Sequence, residues 1–193
     1  TLVLLHGLSD NSRIWARRTS IDRYATEKGI AVIMPSGDRS FYTNMRYGDN
    51  FADFIGKEVL AVAREYLPLS QKREDTFITG NSMGGYGAMK LALNQPERFG
   101  AAASFSGAVD IASTRQRHNH NWKRITGGKS IKGTDCDLFH MLKENAGAAH
   151  KPRLYVSCGT ADFLYHQHQK FIPALKEYGW DVTHYEKPDA VHE

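Results

Sequence analysis

The sequence predicts an α/β fold, a mostly parallel sheet with helices on both faces. Three observations carry this reading. Short apolar runs, often β-branched, recur along the chain and suit strands covered on both sides. Segments of helical spacing alternate with them across short links, which is the pattern of an open α/β sheet. The 193 residues suffice for one domain with a sizeable core and are few for two.

The strand candidates are residues 2–5, 30–34, 76–79, 101–105, 154–158 and 182–185. The clearest helix covers 53–67, where Phe51, Phe54, Ile55, Val59, Val62 and Tyr66 recur at three- and four-residue steps and form one apolar stripe. Pro68 stops it. A second helix spans 84–94 and ends before Pro96. A third lies within 167–178 and ends at Gly179, and Pro173 inside it calls for a late start or a bend. Residues 111–149 break the alternation. They are polar, contain Gly127-Gly128 and His118-Asn119-His120, and read as a short cap-like insertion of loop and helix. Ligands of such sheets bind beyond the carboxyl ends of the strands, so an insertion there is placed to wall the site.

Composition narrows the function classes. The chain is 41% hydrophobic and 24% charged, ordinary for a globular protein. Its net charge of +4 is scattered apart from a modest cluster at 115–132, which argues solubility rather than nucleic-acid binding. No apolar run approaches the roughly 20 residues that span a bilayer. Two cysteines, Cys136 and Cys158, lean toward a reducing, cytoplasmic setting, and Cys158 reads as a small buried thiol in its strand. The expected partner is therefore a small molecule, with no nucleic acid and no membrane; homo-oligomerisation is left open. The chain opens inside a strand-like run and stops straight after a histidine, so flanking segments are expected beyond both ends.

The strongest motif is Gly80-Asn81-Ser82-Met83-Gly84, a G-x-S-x-G with a strand before it and a helix after it. This context fits a sharp strand-to-helix turn that lifts the serine hydroxyl above the sheet, as in the α/β-hydrolase fold. Such a turn strains the serine backbone and places it at the positive end of the helix dipole. A serine is a poor nucleophile at neutral pH and needs a base that is itself oriented by an acid. In this fold the partners follow in the order acid, then histidine. His192 lies past the last strand, whereas His184 lies within it, so His192 is the predicted base. Asp162 follows the strand at 154–158 and the turn Gly159-Thr160-Ala161; it is preferred to Asp110, which follows the strand at 101–105. The oxyanion of the tetrahedral intermediate needs two fixed donors. The N–H of Met83 and that of Leu8, in the His6-Gly7-Leu8-Ser9-Asp10 loop, are predicted to supply them, with His6 ordering that loop.

With these residues in place the chain resembles the esterase D family of S-formylglutathione hydrolases and tributyrin-type carboxylesterases and, more distantly, feruloyl and acetylxylan esterases. The bacterial tributyrin-type esterases are the most similar in pattern. The resemblance spans nearly the whole chain. It is carried by Leu4-Leu5-His6-Gly7-Leu8, Ala31-Val32-Ile33-Met34-Pro35-Ser36, Ser40-Phe41-Tyr42-Thr43, the serine motif with Gly85-Tyr86-Gly87-Ala88, and Pro96-Glu97-Arg98-Phe99. It implies a cofactor-free serine carboxylesterase acting on short acyl esters through Ser82, Asp162 and His192 and an acyl-enzyme. A thioesterase of the S-formylglutathione type and a feruloyl or acetylxylan esterase are the alternatives, and the intact triad argues against a third, a non-catalytic binding module on a hydrolase scaffold. It also implies strands before Thr1 and a helix after Glu193. Asn81 stands where relatives often carry leucine or histidine, a place that flanks the nucleophile. Trp15, Tyr42 and Tyr86 are expected near the mouth as a substrate pocket, although aromatics in this fold are more often core. The H-x-H pairs His118/His120 and His166/His168 are complete with no convincing ligand set, so no metal is expected. The motif at 80–87 also lacks the lysine of a phosphate-binding P-loop.

Overall fold

The computed structural model describes residues 1–112 and 120–192, and of His120 the backbone only. His118, the first part of the basic cluster at 115–132 and Glu193 lie outside the described residues. The elements are β1 (Leu2–Leu5), α1 (Ile14–Arg18), α2 (Ile21–Lys28), β2 (Val32–Ile33), α3 (Phe51–Asp53), α4 (Val59–Tyr66), β3 (Phe77–Asn81), α5 (Met83–Asn94) and β4 (Ala101–Phe105). They continue with α6 (His120–Thr126), α7 (Leu138–Glu144), β5 (Arg153–Gly159), α8 (Tyr165–Glu177) and β6 (Val182–Lys187).

Among the described residues six strands pair in parallel in the order β2-β1-β3-β4-β5-β6. The chain leaves β1 toward β2 and then returns to β3 on the other side of β1. The order therefore reverses between β1 and β3, the place where open α/β sheets bind ligands beyond their strand ends. Leu5 is in register with Gly80. The loops that follow, from His6 and from Ser82, thus leave the sheet side by side.

α5 crosses the middle of the sheet and is buried over nearly its whole length, from Met83 to Leu93. Its close seat depends on glycine: a Cβ on Gly84 would sit 2.5 Å from the Leu5 carbonyl oxygen, far inside contact distance. Leu5, Ile78, Met89, Leu91, Phe99, Val156 and Phe171, all nearly inaccessible, belong to the core on this side. The opposite face of β3, β4 and β5 borders a shallow hollow of about 380 Å³ beside Phe77, Ala101, Phe105 and Tyr155.

Three expectations are corrected. The helix at 53–67 is broken by a π-helical turn at Phe54–Glu58, between α3 and α4. Its wider turn rotates the following face. Ile55 and Leu60 are consequently buried, while Phe54, Val62 and Tyr66 are 40%, 54% and 78% exposed, so the predicted stripe does not hold. The third helix starts early, at Tyr165, and contains Pro173, whose missing N–H removes only the bond to the Gln169 carbonyl. The strand at 30–34 is reduced to Val32–Ile33. Both cysteines are buried and free. Among the described residues no helix is long and apolar enough to cross a membrane.

Candidate active site

The site forms where β3 ends. Gly80 lies against the backbone of Gly84 and Leu5, with no room for a Cβ. The chain must turn at once into α5, and the residue at the corner, Ser82, takes φ 53° and ψ −117°. A non-glycine residue at positive φ carries strain of order 1–3 kcal/mol, which persists only when the surroundings over-determine it. Here they do. The Ser82 N–H donates to the Phe105 carbonyl at 2.9 Å, and its carbonyl accepts the N–H groups of Tyr86 at 3.0 Å and Ala108 at 3.3 Å.

His192 meets this serine from the far end of the chain. Its Nε2 lies 2.9 Å from Ser82 Oγ and its Nδ1 lies 2.9 Å from Asp162 Oδ2. A carboxylate only accepts, so Nδ1 carries the hydrogen and Nε2 is free to accept from the hydroxyl. The loop that carries the imidazole is stitched to the turn that carries the acid. Thr160 N–H donates to the Lys187 carbonyl, Ala161 N–H to the Ala190 carbonyl, and Asp189 N–H to Thr160 Oγ1, at 2.9–3.0 Å. The exposed Phe163 ring packs 4.6 Å from the imidazole centroid.

Asp162 is buried. Burial pushes its pKa up, yet the Leu164 N–H at 2.8 Å, His192 and the Ser106 side chain together hold it below the usual carboxylate value. It is therefore an anion at neutral pH. Of the two acids weighed in the sequence, it is Asp162 whose carboxylate meets the imidazole. Asp110 lies buried in the β4–α6 connection, and its backbone N–H donates to Gln167 Oε1. Cys158 stands against Asp162 and Ser106, and burial pushes its thiol up to about 12, so it stays a neutral thiol.

The loop after β1 is built around His6. Its Nε2 accepts the Gly37 N–H at 2.9 Å and its Nδ1 donates to the Gly7 carbonyl at 2.8 Å. Both nitrogens are thereby engaged in ordering the turn that carries Leu8. No acceptor among the described residues takes the N–H of Leu8 or that of Met83 at the start of α5.

The predicted aromatic pocket is corrected in two of three positions. Tyr42 and Tyr86 are fully buried. Tyr42 donates to the His6 carbonyl and Tyr86 to the Cys136 carbonyl, each at 2.8 Å, so both are core residues whose hydroxyls satisfy buried backbone. Trp15 donates from Nε1 to the Leu5 carbonyl at 3.0 Å and borders an open cleft of about 630 Å³ with Ile14, Arg18, Asn81 and Phe105. His166 and His168 sit on α8, two residues apart and therefore on different faces. Among the described residues no group of three or more His, Cys, Asp or Glu is placed to hold a metal ion. The residues that sequence reading missed are Ser106, Leu164 and Cys158 around the acid. Leu164 and Cys158 are close to Asp162 in the chain, whereas Ser106 reaches it only when β4 and β5 lie side by side.

A parallel sheet with a strained serine at its topological switch, faced by an imidazole and a carboxylate, defines the class: this is an α/β-hydrolase. Comparison with known proteins gives the particular family. The Esterase family model matches residues 1–176, and the chain belongs to that family. It is a carboxylic ester hydrolase. It is 33% identical to an acetyl esterase of Caldicellulosiruptor saccharolyticus over all of this chain and 77% of that one. Among solved structures it is similar to FphF, a fluorophosphonate-binding serine hydrolase of Staphylococcus aureus, with 38% identity and a TM-score of 0.91. It is also similar to the S-formylglutathione hydrolase FrmB of Staphylococcus aureus, with 38% identity and a TM-score of 0.88. In both cases the match covers all of this chain and 76% of the other.

Proposed function

We propose that the protein is a serine carboxylesterase that hydrolyses short-chain acyl esters through Ser82, His192 and Asp162. The observation that carries this is the position of His192, 2.9 Å from both the serine hydroxyl and the carboxylate. Ser82 Oγ attacks the ester carbonyl while His192 Nε2 takes its proton. Asp162 holds the Nδ1–H tautomer and stabilises the imidazolium. The oxyanion is received by the N–H groups of Leu8 and Met83, and loss of one such donor costs about a hundred- to a thousandfold in turnover. His192 returns the proton to the departing alcoholate, leaving an acyl-enzyme. Water, activated by the same imidazole, then releases the acid. Trp15 is assigned to the wall of the substrate cleft.

The assignment is tested with p-nitrophenyl acetate and butyrate. Hydrolysis is expected to vanish in Ser82→Ala, and wild-type turnover by that variant refutes it. A second reading, a thioesterase of the S-formylglutathione type using the same residues, is favoured by the 38% identity to FrmB. Comparing kcat/KM for S-formylglutathione with that for butyrate esters separates the two.

A further inference from the structure

Two buried polar side chains of α8 play no part in the chemistry above. Gln167 and His168 are consecutive, and both lie inside the protein at 1% and 3% exposure. Burying an amide or an imidazole is costly unless it finds a partner. Each finds one on the same loop. Gln167 Oε1 accepts the Asp110 N–H and His168 Nε2 donates to the Gly107 carbonyl, both at 2.8 Å. A carbonyl only accepts, so Nε2 carries the hydrogen. His168 Nδ1 has no partner among the described residues. Burial, the largest influence, pulls the pKa of this ring down against the opposing effects of the Gly107 bond and the Asp162 charge, so it is neutral.

The loop they hold joins the two halves of the site. Phe105 and Ala108 bond the N–H and the carbonyl of Ser82. Between them Ser106, itself at φ 46°, donates its N–H to the Ser157 carbonyl, and its side chain helps hold the Asp162 pKa low. α8 starts three residues after Asp162, and the acid's Oδ1 accepts the Leu164 N–H just before it. The connections run in series: acid to α8, α8 to the loop, and the loop to the nucleophile corner and to β5, the strand that leads to the acid.

We propose that His168 is a positioning residue for ester hydrolysis, which with Gln167 fixes the 105–110 loop and so sets the Ser82 corner against Asp162. The inference rests on the assignment of Ser82, His192 and Asp162 made above. A residue that only fills the core affects how much protein is folded, whereas a positioning residue affects the rate of each folded molecule.

The experiment measures p-nitrophenyl butyrate hydrolysis by the full chain and its His168→Leu, His168→Gln and Gln167→Met variants. Rates are expressed per active site, counted by complete labelling with a fluorophosphonate. His168→Leu is expected to lower kcat about ten- to a hundredfold with KM within about twofold, the pattern of a misplaced reacting group. His168→Gln, whose amide N–H donates to the same carbonyl, restores most of the kcat, and Gln167→Met lowers it in the same direction. Wild-type kcat per labelled site in His168→Leu, or a His168→Gln variant as slow as His168→Leu, overturns the proposal. If His168→Leu yields no folded protein, Gln167→Met decides, and an unchanged kcat there overturns it. Ser82→Ala keeps the two ideas apart. Activity in that variant sinks the nucleophile assignment, whereas an inactive Ser82→Ala beside a fully active His168→Leu sinks only the role of His168.

Discussion

Replacing Asp162 by asparagine tests the site at its least replaceable point. The change is nearly isosteric and leaves an oxygen for the Leu164 N–H, which Asp162 Oδ1 accepts at 2.8 Å. The amide nitrogen then occupies the place of Oδ2, 2.9 Å from His192 Nδ1. Two donors cannot face each other, so the imidazole turns to the tautomer with hydrogen on Nε2. That hydrogen points at Ser82 Oγ, 2.9 Å away, and the base can no longer accept the serine proton. The stabilisation of the imidazolium is lost at the same time. The corresponding change in a serine protease lowers kcat by about ten-thousandfold, equivalent to about 5.5 kcal/mol of barrier. The assay is kcat for p-nitrophenyl acetate at pH 7, with circular dichroism to show that the variant is folded. A folded Asp162→Asn that keeps more than about a tenth of wild-type kcat refutes the reasoning, because it leaves less than about 1.4 kcal/mol for the acid to supply.

Two further outcomes follow from the same geometry. Gly84→Ala places a methyl group 2.5 Å from the Leu5 carbonyl and 2.8 Å from that of His6, both backbone, so β1 and the Leu8 loop must give way. The expected cost is about 1–3 kcal/mol, at about 2–4 °C of Tm per kcal/mol for a chain of this size, read by thermal unfolding. Asp162, buried but held low by Leu164, His192 and Ser106, has a folded pKa below its unfolded value of about 3.9. Its contribution to stability is complete above that unfolded value and disappears as pH falls through the folded pKa. The gap in urea midpoint between wild type and Asp162→Asn should therefore narrow between pH 7 and pH 2, and a constant gap contradicts the charge's role.

What the sequence makes legible here is whatever is encoded next to itself. Ser82 is announced by two glycines, a strand before it and a helix after it, all contiguous in the chain. His192 and Asp162 follow from chain order and from their places just past strands. The sheet follows from runs that are apolar throughout. The misreadings come from burial decided by neighbours distant in sequence and from one local change of helical pitch. Tyr42 looks like a pocket aromatic until its hydroxyl is seen to serve the His6 carbonyl, 36 residues away. The apolar repeat from Phe51 to Tyr66 assumes 3.6 residues per turn, and one π-helical turn invalidates it. His168, whose H-x-H spacing with His166 carries no metal expectation, has its partner in the Gly107 carbonyl, 61 residues earlier, which the sequence does not announce.

The placement of the imidazole also bears on how the molecule loses activity. Among the described residues β6 lies at the edge of the sheet, paired with β5, and from Thr183 to Lys187 its side chains are exposed. Segments with little buried apolar contact open at lower free energy than the core. Detachment of this strand is expected to carry His192 away from Ser82 while the centre of the sheet stays intact. Inactivation by heat or denaturant is therefore expected to register peeling of one margin of the protein, ahead of its collapse as a whole.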